Sequence, residues 1–101
     1  MHQDYVKKLE RLLLKQNIDI SNNPHGFIFD VENEIESFRE NVEINEEFTV
    51  DRTFGADIVR FYCAFEEDEL NGVIRVPYAI NSINIITPSG NEISVDFSYL
   101  D

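Results

Sequence analysis

Residues 47–65 read EFTVDRTFGADIVRFYCAF, and the reading of their alternation decides the fold. Phe48, Val50 and Phe54 alternate with Glu47, Thr49, Asp51 and Thr53, the period-two pattern of a strand with one buried face. In the next run Val59, Phe61, Cys63 and Phe65 share one face, while Ile58, Arg60, Tyr62 and Ala64 share the other. Both faces of that second run are largely apolar, which predicts a central strand covered on both sides.

Moving outward toward the C-terminus, Glu66 to Gly72 is expected to be a turn. It ends in Asn71-Gly72, a strong hairpin signal. Residues 73–76 continue as a strand, and Pro77, which has no N–H to donate, is expected to end its pairing. Ile83 and Ile85 lead into a turn at Pro88-Ser89-Gly90-Asn91. Ile93, Val95, Phe97 and Tyr99 then alternate with Ser94, Asp96 and Ser98, the clearest hairpin pattern in the chain.

Outward toward the N-terminus, residues 27–32 read as a strand with Phe27, Phe29 and Val31 on one face. Asn33 is placed to cap a short helix, with Glu36 three residues on as in a capping box. Ile35, Phe38 and Val42 repeat at helical spacing. A competing reading makes 34–44 a strand, because Val42 and Ile44 alternate with acids. Ser21-Asn22-Asn23-Pro24-His25-Gly26 is a cluster of breakers and reads as a loop. Residues 3–16 read as an amphipathic helix: Val6, Leu9, Leu13 and Gln16 form its stripe, widened by Tyr5 and Leu12, and Asn17 is a natural end. The fold class expected is therefore α+β in a single domain, 1–101. An N-terminal amphipathic helix packs on a mostly antiparallel sheet of five or six strands, with a short second helix near residues 33–42.

Composition supports a folded chain. Apolar residues make up 43% and aromatics 12% of 101 residues, enough for a core and too many for an acidic disordered tail. The lone Cys63 excludes an internal disulfide and favours a reducing, cytoplasmic home. The first residues show no apolar signal segment. The longest apolar run, 61–65, is too short to span a bilayer as a helix.

Charge is the most unusual property. The first fifteen residues carry Lys7, Lys8, Arg11 and Lys15 against Asp4 and Glu10, a net of +2. Beyond them there is no lysine, and four arginines face eighteen carboxylates, a net of −14. The total of −12 exceeds the roughly 2–8 that keeps a small domain soluble. The acids gather in two places. Asp30, Glu32, Glu34, Glu36, Glu40, Glu43, Glu46, Glu47 and Asp51 share one stretch with Arg39 alone, and Glu66-Glu67-Asp68-Glu69 forms a knob on the expected turn. Such faces suit a basic partner protein, since complementary charge raises association rate and selects partners. The bland alternative is a solvated surface. Tyr62, Tyr78 and Tyr99 are possible interface anchors, Tyr78 first among them.

Signatures of chemistry are missing. The knob does not have the alternating ligands of an EF-hand. His2, His25 and Cys63 offer no zinc-ligand spacing. Cys63 lies between Phe61 and Phe65 on the expected core face, where a thiol is inert packing. There is no Gly-rich phosphate loop. The excess of carboxylates opposes direct binding of nucleic acid or anionic membrane. The expectation is a binding protein rather than an enzyme, with no cofactor and no metal. In size and charge alone the chain is like immunity proteins that neutralise nuclease toxins, and like phage-encoded anti-defence inhibitors (anti-CRISPR proteins and DNA mimics). A structural or oligomeric interaction module is the third expectation. The expected contact residues are Asp30, Glu32, Glu34, Glu36, Glu40, Glu43, Glu46, Glu47, Glu66, Glu67, Asp68, Glu69 and Tyr78, facing a toxin nuclease or a nucleic-acid-binding defence protein.

Overall fold

The computed structural model describes the backbone of residues 2–95 and the side chains of residues 6–95. The expected strand positions Phe97 and Tyr99, and the side chains of His2 and Tyr5, lie outside the described residues. In chain order the elements are α1 (His2–Leu14), α2 (Pro24–Ser37), β1 (Phe48–Phe54), β2 (Asp57–Phe65), β3 (Asp68–Leu70), β4 (Val73–Arg75), β5 (Tyr78–Ile86) and β6 (Glu92–Val95). The architecture is α+β, as expected.

Helix α1 buries Val6, Leu9 and Leu13 and leaves Lys7 and Arg11 exposed, as is Lys15 just past its end. Its end is built by Asn17, which takes a left-handed φ of 64°. Asn17 N–H then bonds Leu14 carbonyl at 2.9 Å and Ile18 N–H bonds Leu13 carbonyl at 3.0 Å, a Schellman stop closed by buried Leu13 and Ile18.

Helix α2 overturns the expected strand at 27–32 and the loop assigned to Pro24-His25-Gly26. Asn23 caps the helix, its Oδ1 accepting the Gly26 N–H at 3.1 Å, and Pro24 occupies the first turn, where its missing N–H costs nothing. Gly26 keeps that cap possible, because a Cβ there would stand 2.2 Å from Asn23 Nδ2. The helical stripe is Ile28, Val31 and Ile35, all buried, while Phe29 remains 62% exposed. The apparent Phe27/Phe29/Val31 alternation was thus a by-product of one aromatic on the solvent side. Asn33 lies inside the helix and caps nothing; the residues assigned to the short helix instead form the end of α2 and a following turn. Asn23→Ala is expected to cost about 1 kcal/mol, read as a lower urea midpoint with an unchanged slope.

The strands divide differently from the single sheet of five or six that the pattern suggested. Four form one antiparallel sheet in the order β1-β2-β5-β6, and β3 and β4 form a separate two-stranded ribbon. The ribbon is an extension of the β2–β5 hairpin: Phe65 pairs with Tyr78, Glu66 N–H bonds Pro77 carbonyl at 3.0 Å, and Asp68 pairs with Arg75, all in one register. Glu66 to Gly72 is therefore not a single turn. The turn is Asn71-Gly72, whose φ values of 54° and 79° meet the positive-φ requirement of a two-residue type I′ link. Fourteen extended residues from 57 to 70 span about 46 Å at roughly 3.3 Å each, close to the 44 Å longest dimension of the molecule.

One core joins Val6, Leu9 and Leu13 of α1, Ile28, Val31 and Ile35 of α2, and the inward faces of β1, β2, β5 and β6. β2 is central, and its Val59/Phe61/Cys63/Phe65 face is fully covered, while on the other face only Ala64 is buried. The other face keeps Ile58, Arg60 and Tyr62 partly exposed, so the expectation of two covered faces is corrected. Arg60 and Tyr62 belong to a polar lattice there. Arg60 is bidentate to Asp51 on β1 at 2.9 and 3.0 Å, and Tyr62 donates to Glu92 on β6, which also accepts from Asn84 at 2.8 Å. No helix among the described residues is long and apolar enough to cross a membrane.

Candidate protein-binding surface

The four arginines beyond residue 15 each meet a carboxylate, and this sorts the acids. Arg52 bonds Glu34 at 2.6 Å and the Asp30 carbonyl at 2.9 Å, which ties α2 to β1. Arg60 holds Asp51, and Arg75 meets Asp68 across the ribbon at 3.2 Å. Arg39 is bidentate to Glu36 at 2.7 and 2.8 Å. Glu32, also on α2, accepts from Tyr78 Oη at 2.5 Å. Tyr78 is half-buried and tied to the helix by this bond.

Glu40, Glu43, Glu46, Glu47, Glu66, Glu67 and Glu69 are exposed and have no cationic partner among the described residues. Glu46 is locally engaged, accepting the Glu43 N–H at 3.2 Å. Asp30 sits apart from this group, exposed on α2.

Backbone and aromatic contacts bring one part of the first acidic stretch, residues 40–47, against the second. Asn45, between Glu43 and Glu46, has a φ of 68° and donates its N–H to the Phe65 carbonyl at 2.7 Å. That carbonyl is the last of β2, immediately before Glu66. Arg39 reaches over the same spot, with its guanidinium 4.4 Å from the Phe65 ring centroid and Nη1 2.6 Å from the Val76 carbonyl. Phe48 stacks between Phe38 and Phe65, at 4.9 and 5.3 Å between centroids. The 38–47 connection is thereby clamped against the root of the ribbon. One end of the molecule presents residues 40–47 beside residues 66–69.

Two pKa effects mark this end. Glu36 is held below the ordinary carboxylate value chiefly by its hydrogen bonds from Arg39, which outweigh the opposing effect of burial; the Arg39 charge adds least. Cys63, beneath Glu47, is pushed up to about 12, mainly by burial and secondarily by the Glu47 charge. A thiol so placed is packing, as the sequence implied. Among the described residues no three His, Cys, Asp or Glu side chains are grouped to hold a metal ion.

The same end carries apolar side chains that the sequence reading did not single out. Ile44 is 46% exposed in the clamped connection, and Leu70, Val73 and Ile74 are 52%, 58% and 63% exposed on the ribbon. Their signal was the run Leu70-Asn71-Gly72-Val73-Ile74, a tight turn flanked by apolar residues directly after four acids. No protein-family model, curated protein or solved structure matches the chain.

Proposed function

We propose that this protein is a stoichiometric inhibitor that binds and blocks a basic partner protein, in the manner of an immunity protein or antitoxin neutralising a nuclease toxin. The observation that supports this reading best is the convergence of the acids at 40–47 with those at 66–69 at one end, with the neighbouring arginines already committed to other acids. A surface that only needed solubility would gain nothing from gathering its unneutralised carboxylates, because their mutual repulsion works against folding. Set against a nuclease, the same carboxylates lie where phosphates of the substrate would otherwise sit. The protein does no chemistry in this role and acts in the cytoplasm, where its buried thiol stays reduced.

The test is titration of the protein into cleavage assays of basic bacterial nucleases. Inhibition is expected to saturate at one equivalent and to weaken as salt rises, since exposed charges are screened over about 8 Å at physiological ionic strength. The variant with Glu40, Glu43, Glu46 and Glu47 changed to Gln is expected to associate at least about tenfold more slowly. An unchanged on-rate, or inhibition indifferent to salt, would remove the electrostatic mechanism. Displacement of DNA from a defence protein, with no effect on any nuclease toxin, would replace it by the DNA-mimic reading.

A further inference from the structure

The β3–β4 ribbon contributes nothing to the core. All six of its strand residues are exposed, and none joins the buried cluster. Beyond Phe65–Tyr78 the hairpin is only two strands wide, a width marginal in water, and ordering this extension costs conformational entropy that no burial here offsets. Apolar residues on an open strand edge are also a hazard that folded proteins ordinarily remove. A feature that costs stability and invites aggregation, yet is carried on a tight type I′ turn, calls for a use outside the fold.

Its two faces narrow that use. Paired residues share a face, so Leu70 and Val73 lie on the side of the Asp68–Arg75 pair, while Ile74 lies with Glu69 on the other. Apolar side chains therefore project from both sides of the ribbon near its tip. That shape suits insertion into a recess better than flat docking. Around its base stand the unneutralised Glu40, Glu43, Glu46, Glu47, Glu66 and Glu67. An apolar centre within a charged rim is the anatomy of a protein interface. The sign of the rim chooses the occupant: two copies at −12 each would bring like charges together, whereas a cationic surface would meet opposite ones.

We infer that the ribbon is the insertion element of the contact with the basic partner: Leu70, Val73 and Ile74 enter an apolar recess whose cationic rim meets the carboxylates at 40–47 and 66–69. This deepens the inhibitor reading and rests on it. Pre-organisation by the Asn71-Gly72 turn lowers the ordering cost at the moment of binding.

The test uses the full chain and two labelled synthetic peptides of equal charge, one alternating Lys with Val and the other alternating Lys with Ser. Fluorescence anisotropy gives affinities, and amide shift perturbation locates the contact. The Lys/Val peptide is expected to bind at least tenfold tighter and to perturb residues 40–47 and 66–77. The combined variant Leu70→Ser, Val73→Ser and Ile74→Ser is expected to abolish that preference while its remaining amide spectrum stays unchanged. Equal binding of both peptides, or perturbation confined to other surfaces, overturns the insertion role and leaves the electrostatic reading standing. Binding of neither peptide at low salt overturns both. A wild-type dimer in sedimentation that the triple variant dissolves would assign the tip to a second copy and overturn the proposal.

Discussion

Phe61→Ala is expected to destabilise the protein by about 3–5 kcal/mol, the cost of deleting a fully buried aromatic whose cavity cannot collapse. Phe61 is completely buried at the middle of the central strand. It is flanked by Val50 on β1 and Ile83 on β5, both equally buried, with the Phe27 ring of α2 at 6.0 Å between centroids. Strands hold it on both sides and a helix lies above it, so no neighbour can slide into the space. A domain of this size has roughly 5–15 kcal/mol of stability in total, and the loss removes a large share of it. Urea unfolding checks this as a lower midpoint at constant slope. Phe29→Ala is the internal control, expected to stay within about 0.5 kcal/mol because the ring faces solvent. Had residues 27–32 been a strand with Phe29 inward, the two substitutions would cost similar amounts. Comparable losses would therefore refute the helical register of α2.

Cys63 is expected to react with thiol reagents only when the protein opens. Burial, helped by the negative charge of Glu47, lifts its pKa from the ordinary 9.0 to about 12. The thiolate is the nucleophile, so at mildly alkaline pH its population falls about a thousandfold on folding, before steric exclusion is counted. Labelling should be slow in native buffer and accelerate with urea in step with unfolding. Prompt stoichiometric labelling of the native protein would contradict the placement. Linkage gives the sign of the pH effect. The folded state favours the neutral thiol, so this contribution is fully present below the unfolded pKa near 9. It is lost as pH rises from there toward about 12, where the unfolded chain releases its proton first.

How legible the chain was depends on which signal competed with which. The hairpin strands were readable because Val59, Phe61, Cys63 and Phe65 bury one face at strict alternation. Helix α1 was readable for the same reason at helical spacing. Helix α2 was not, because Phe29 imitates a period of two. The decisive clue was local: Asn23-Pro24 is a cap followed by a first-turn proline, and it outweighs a short alternation. Strand β5 carries a clue of another kind. Ile80, Ile83 and Ile85 all face the core, a spacing of three and then two that a regular strand cannot make. A bulge resolves it, since Tyr62 pairs with Ser82 but Cys63 pairs with Ile80, leaving Asn81 as the extra residue. For the candidate surface, the two acid runs were visible in the sequence. Their meeting was not, because it depends on a backbone bond from Asn45 to Phe65 across twenty residues. Nor could sequence separate the carboxylates engaged by Arg39, Arg52 and Arg60 from those left to solvent.

The unbroken succession of paired rungs from Leu70–Val73 down to Ile58–Ile86, shifted once at the Asn81 bulge, also fixes how the sheet can assemble. Each rung of this long hairpin closes only a small loop once the rung nearer Asn71-Gly72 has formed, so pairing can spread from the tip inward like a zipper. The β1–β2 and β5–β6 links close from their own turns in the same way, and no strand of the four-stranded sheet has to thread between two others. Loop-closure entropy is thus met in small steps, and folding should run fast for a protein so rich in strands. What lies outside this zipper is the docking of α1, whose core residues Val6, Leu9 and Leu13 stand far ahead of the first strand in sequence.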